Sequence, residues 1–229
     1  MQWLSGLDAN GEFFTTVIHA EDWSVNRPWF AVPPGTGGLT AFVRRMENGL
    51  LRDLAVRTGA KPIFIVSGIP GTVGSGTRAI WRELIPLLRE PRDFALWPFE
   101  GDVKFGHPKH EILLAETYPG LAYAAALADE LPAAPLRVAK TSASERESAC
   151  DLIGNASWVR ENLVDLGELG AARASEDDFD ALFTAAAVLR CVVESLPIVF
   201  PRWIDAEVEG SMLLAGPVDP ARKAARLQI

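Results

Sequence analysis

The segment Ala174–Arg190, ASEDDFDALFTAAAVLR, constrains the fold of this chain more than any other. Ser175 is a favoured N-cap residue. Asp178, three positions on, completes a capping-box variant with Asp in place of Glu. Glu176, Asp177, Asp178 and Asp180 crowd the first turns, where the aligned peptide dipoles favour negative charge. Beyond them, Ala181, Leu182, Ala185, Ala186, Val188 and Leu189 are small or apolar almost all round. The pattern predicts a helix buried on more than one side, running to about Leu196 before Pro197. Asp177 and Asp180 are spaced i, i+3 and share one face of it. Two readings are open: the acids cap a helix, or they form part of a site where a divalent cation offsets their repulsion.

A chain of 229 residues with 48% hydrophobic side chains can build a full core. Its net charge of -8 argues against a large basic nucleic-acid footprint, although an acidic site that works through metal ions is compatible with it. Cys150 and Cys191 fall in separate helical patterns, so no disulfide framework is expected and a cytoplasmic setting fits. Residues 1–25 lack a basic, then apolar, leader pattern, and no uncharged apolar run is long enough to span a membrane.

Along the chain, Asp8-Ala9-Asn10-Gly11 reads as a turn leading into a strand at Glu12–His19. Trp23–Gly38 reads as an ordered loop, Leu39–Thr58 as a helix, and Pro62–Val66 as a buried strand. Ser67–Trp81 carries Gly68, Gly71, Gly74 and Gly76 between a strand and a helix, a placement that suits anion binding by backbone N–H groups. The phosphate-loop spelling fails, because Thr77 and Arg78 stand where Lys and Ser/Thr belong. A tight strand-to-helix turn facing a ligand is the better reading, with Arg78 either an anion contact or an exposed helix charge.

A helix follows at Thr77–Arg89, then strands at Phe94–Phe99 and Glu111–Glu116. His107 and His110 lie in the polar loop between those strands without a third ligand, so a zinc site is not expected there. Glu116 ends an apolar run, at the strand edge where α/β sheets place ligands or simply in solvent. Helices are expected at Leu121–Leu131 and over Ser144–Leu166, the latter broken near Gly154-Asn155, with an extended piece at Leu136–Ala139 between them. Glu207–Leu214 suggests a last strand, and residues 216–229 a frayed, basic tail. No segment has the length and composition of a linker, so a single domain over residues 1–229 is expected.

Taken in order, VGSGTRAIW (Val73–Trp81), FALWPFEG (Phe94–Gly101), AETYPG (Ala115–Gly120), Lys140, ASEDDFDALFTAA (Ala174–Ala186) and VEG (Val208–Gly210) resemble a bacterial family of uncharacterised proteins. These are described as predicted RNase H-like nucleases related to the RuvC-type resolvases. The resemblance covers residues 60–215, leaving 1–59 as a divergent N-terminal part. It implies an α/β, RNase H-like fold: a mixed central sheet flanked by helices. It also implies Mg²⁺- or Mn²⁺-dependent hydrolysis of nucleic-acid phosphodiesters, one metal activating water and the other stabilising the leaving oxygen. Carried over residue by residue, Glu116, Asp177 and Asp180 are the catalytic, metal-binding acids. Lys140 is a phosphate contact, and Arg78, Gly74 and Gly76 are further candidates for substrate binding. Members usually begin with a strand ending in G-[IV]-D, whose Asp bridges both metals. Here Gly6-Leu7-Asp8 follows no β-branched run, and the expectation is a truncated start or a lost acid, with impaired activity. The alternative is a catalytically inactive RNase H-like binding or assembly protein.

Overall fold

In the computed structural model the residues described are 6–24, 26–32, 64–66, 73–89, 93–97, 112–196, 213–214, 217–219 and 222–228. The expected helix Leu39–Thr58, the loop histidines His107 and His110, residues 67–72 of the glycine-rich segment and most of Glu207–Leu214 lie outside them. The protein is of mixed α/β class. Its chain divides into two compact units, Met1–Ala95 with His110–Ile112, and Leu96–Lys109 with Leu113–Ile229. The division falls at a pair of short strands rather than at a linker.

In the first unit, Asp8 opens the expected turn. Its backbone carbonyl accepts from Gly11 N at 2.9 Å and its carboxylate from Asn10 N at 3.0 Å. The strand expected at Glu12–His19 does not form as such: Glu12–Phe14 is a 3-10 turn, and only Val17 makes a β-bridge. The reason is aromatic packing. Side chains of a strand alternate between faces, yet consecutive Phe13 and Phe14 are both buried. Phe13 stacks on Trp81 at 6.2 Å, and Phe14 packs on Trp29 at 6.3 Å. Parallel bridges then join Val17 to Phe30 and Phe30 to Ile65, so of the expected Pro62–Val66 strand the described part contributes a bridge at the buried Ile65. Helix α1 (Gly74–Arg89) carries Pro86 inside it and starts three residues before the expected Thr77.

Strand β1 (Phe94–Leu96) pairs with β2 (Ile112–Leu114), shorter than the sequence suggests. In the second unit, helix α2 (Pro119–Leu127) has Tyr118 as N-cap and Pro119 at its first position, where a missing N–H costs nothing and φ is already helical. It begins and ends earlier than the expected Leu121–Leu131. Gly120 through Ala126 are all buried, as befits a helix apolar on every side. A Cβ on Gly120 would meet the Tyr118 ring at 2.9 Å and the Leu136 carbonyl at 3.3 Å, so glycine lets α2 lie close to strand β3 (Leu136–Arg137).

Helices α3 (Ala143–Gly154) and α4 (Ser157–Glu161) are separated at Asn155, as the sequence indicates, but the chain leaves helix after Glu161 rather than at Leu166. Helix α5 (Gly170–Ala174) leads into α6 (Glu176–Val193). Ser175 accepts from Asp178 N at 3.3 Å, so the expected capping is present. Ser195, at φ 51°, marks where the chain has left helix before Leu196. Phe179, Phe183, Ala186, Ala187 and Cys191 of α6 pack with α2, Ile153 and Trp158 into the main core.

The expected frayed tail is instead tied down. Strand β4 (Ala225–Arg226) pairs in parallel with β3, Ala225 N donating to Pro135 O at 2.8 Å and Leu227 N to Arg137 O at 3.1 Å. A further bridge joins Ala133 to Val218. Composition suggests solvent exposure, but the backbone donors and acceptors find partners regardless of the polar side chains. Among the described residues the named strands thus form two separate pairs. No described helix is long and apolar enough to cross a membrane.

Candidate functional site

The polar centre of the second unit is built on the first turns of α6. Ser175 starts the helix, and Phe179 and Phe183 anchor it in the core at 0% exposure. That anchoring turns Asp180 toward α2. One carboxylate oxygen of Asp180 accepts from the Tyr123 hydroxyl, and the other forms an ion pair with the Lys140 ammonium. The side chains of Lys140 and Asp180 retain 33% and 25% of their accessibility, so the pair is partly desolvated and still touches water. Burial and the carboxylate beside it raise the Tyr123 pKa well above the phenol range, which keeps Tyr123 a hydrogen donor.

Lys140 is held at its backbone. Arg146, 8% exposed, donates to Lys140 O at 2.5 Å and also to the carbonyls of Arg173 at 2.9 Å and Ala174 at 3.3 Å. A single guanidinium thus joins the turn carrying Lys140 to the C-terminus of α5, one residue before the cap of α6. Glu145 accepts from Ala139 N at 2.6 Å and fixes the same turn from the other side.

Asp177 lies exposed on the opening turn of α6. Glu116 follows β2, its carbonyl accepting from Leu213 N at 2.7 Å. Its side chain is exposed, while burial by surrounding protein raises its pKa above the usual carboxylate value. Strand β2 is largely exposed rather than buried, so Glu116 does not end a buried strand as the sequence suggests.

Carboxylate oxygens are the donors Mg²⁺ and Mn²⁺ prefer. Among the described residues, however, no group of three or more His, Cys, Asp or Glu is placed to hold a metal ion. Asp180, as folded, accepts from the Tyr123 hydroxyl and pairs with the Lys140 ammonium.

Arg78, Gly74 and Gly76 belong to α1 in the first unit. Arg78 donates to Thr16 Oγ1 and to Phe14 O at 3.5 Å, so its guanidinium braces the aromatic turn. A Cβ on Gly76 would meet nothing within 4 Å, so close packing does not require glycine there. Gly74 is the buried first residue of α1.

Tyr123 and Arg146 escaped the sequence reading. Tyr123 sits in an alanine-rich run with the look of pure core. Arg146 lies in ASERES, with the look of solvated helix. A buried arginine needs several acceptors at once, and only the fold shows them. From Asp180 an open groove of about 700 Å³ runs along α6 past Thr184 and Val188 to Val192. Together these features define a mixed α/β protein with a Tyr–Asp–Lys centre at a helix start. Family models, curated proteins and solved structures yield no match to the chain.

Proposed function

We propose that this protein is RNase H-like and acts on nucleic-acid phosphodiesters at the Lys140–Asp180 centre, with hydrolysis as its activity. One observation carries the reading. The motif resemblance assigns Lys140 to a phosphate and Asp180 to the reacting centre, from segments forty residues apart, and the fold brings the two side chains into direct contact. In this reading Lys140 is the phosphate contact. Its ammonium is oriented by one oxygen of Asp180 while Tyr123 holds the other. Asp177, exposed on the opening turn of the same helix, adds a second carboxylate beside the substrate position. The ordered motifs from Val73 to Gly210 give the reading its further support.

The test is turnover of branched DNA, RNA and RNA–DNA hybrids with Mn²⁺ present, wild type beside Asp180→Asn. Cleavage that falls by at least about a hundredfold in the variant supports it, in line with the loss of a charge at a reacting centre. Wild-type turnover no faster than the variant sinks it.

A second reading is a non-catalytic binding or assembly protein. The observation in its favour is that Asp180 is already neutralised by Lys140, with no acid trio among the described residues. It predicts no specific Mn²⁺ uptake. A calorimetric Mn²⁺ site that disappears in Asp177→Ala would count against it.

A further inference from the structure

Beyond the polar centre, strands β3 and β4 present an unusual charge arrangement. They pair in parallel with Leu136 opposite Ala225 and Arg137 opposite Arg226. Side chains in register on neighbouring strands leave the same face, so the two arginine side chains start from adjacent positions on one face. Both residues are exposed. Like charges directly opposite one another weaken a strand pair. Neither arginine forms an ion pair among the described residues, and the exposed Lys223, just before β4, forms none either. The whole chain has 30 acids against 22 Lys and Arg. An acidic protein has ample carboxylates to neutralise such a pair, yet among the described residues the fold places none on it.

The ribbon is also held in place. Ala225 N bonds Pro135 O at 2.8 Å, Leu227 N bonds Arg137 O at 3.1 Å, and Arg222 donates to Pro132 O at 2.9 Å. From Arg137 the chain runs three residues to Lys140, whose turn is fixed by Glu145 and Arg146. A row of uncompensated cations on a fixed backbone suits a ligand with regularly spaced anions. Guanidinium forks match phosphate oxygens in geometry as well as charge.

We propose that the β3–β4 ribbon, through Arg137 and Arg226, is a contact surface for the phosphodiester backbone of nucleic acid. The identity of that polyanion rests on the function proposed above; the ribbon itself rests on register, exposure and the lack of counter-charges among the described residues. Backbone contacts of this kind position a strand without reading its sequence.

The experiment is anisotropy of labelled single-stranded DNA, single-stranded RNA and duplex DNA of about 20 nucleotides, long enough for several phosphate contacts. Binding is measured in EDTA, so that no hydrolysis enters, and repeated across salt concentrations. Vesicles containing phosphatidylserine serve as a competing anionic surface. The full chain is compared with Arg137→Gln, Arg226→Gln, the double variant, and Arg160→Gln as an exposed control elsewhere on the unit. The double variant is expected to bind about tenfold or more weakly, its log–log salt slope smaller by about two, one for each phosphate that is no longer neutralised. Arg160→Gln is expected to leave the slope unchanged. Equal affinity and slope in wild type and double variant would overturn the proposal. So would wild-type protein that binds none of the three probes, or that binds only the vesicles. The turnover assay on Asp180→Asn is independent of these outcomes, so the ribbon and the catalytic reading can fail separately.

Discussion

Lys140 and Asp180, forty residues apart, meet as an ion pair at the start of α6, with the Tyr123 hydroxyl closing the second carboxylate oxygen. The arrangement makes Asp180 the shared acceptor of two donors from two other segments. Tyr123→Phe removes one donor and leaves the ring in place. It is expected to lower stability by about 1.5–3 kcal/mol, the usual range for a hydrogen bond to a charged group. Lys140→Met is expected to cost less, about 1 kcal/mol or below, because both partners still touch water. Urea unfolding of the two single variants and the double variant measures both, and a coupling near zero would show that Asp180 does not link them.

Arg190 is 3% exposed and donates to Ala125 O at 2.9 Å, Ala128 O at 2.6 Å and Glu194 at 2.7 Å, with its guanidinium over the Trp158 ring at 5.9 Å. It therefore completes the C-terminus of α2 from α6. Arg190→Met is expected to destabilise by about 3–5 kcal/mol, because two carbonyls and a carboxylate lose their donor together. Arg190→Lys is expected to recover only part of this, since one ammonium cannot reach all three acceptors as a planar fork does. Chemical denaturation followed by tryptophan fluorescence reads the effect directly.

Cys191 is fully buried, and burial pushes its thiol from 9.0 up to about 11. The folded state therefore holds the thiol proton more tightly than the unfolded state. Stability from this source is fully present below pH 9 and is lost as pH rises from 9 toward 11. Cys191→Ala is expected to flatten that alkaline fall, at the cost of a small cavity. Native protein is also expected to react with a thiol reagent far more slowly than denatured protein at about pH 8. Equal rates would show that the buried position is not maintained.

The α6 helix shows how far local pattern reaches. Its cap at Ser175, its acidic first turn and its apolar body were legible, because capping and helical periodicity act over a few residues. The break at Asn155 and the turn at Asp8 were legible for the same reason. The strand expected at Glu12–His19 does not form, because Phe13 and Phe14 both enter one aromatic cluster with Trp29 and Trp81. That demand arises from residues far along the chain. The C-terminal segment reads as a loose tail, yet it pairs with β3, an arrangement decided by backbone groups that composition does not report.

For the candidate site, sequence alone named Glu116, Asp177 and Asp180 as acids and Lys140, Arg78, Gly74 and Gly76 as substrate contacts, and could rank them only through motif resemblance. It determined a capped acidic helix start, an alanine-rich helix before it, and two cysteines in separate helical patterns unsuited to a disulfide framework. Only the tertiary structure decided that Asp180 turns inward to Tyr123 and Lys140, that Arg146 ties their segments together, and that Arg137 stands beside Arg226. Each of these joins residues distant in sequence, and long-range pairing depends on how whole helices and strands pack, not on the residues next to them.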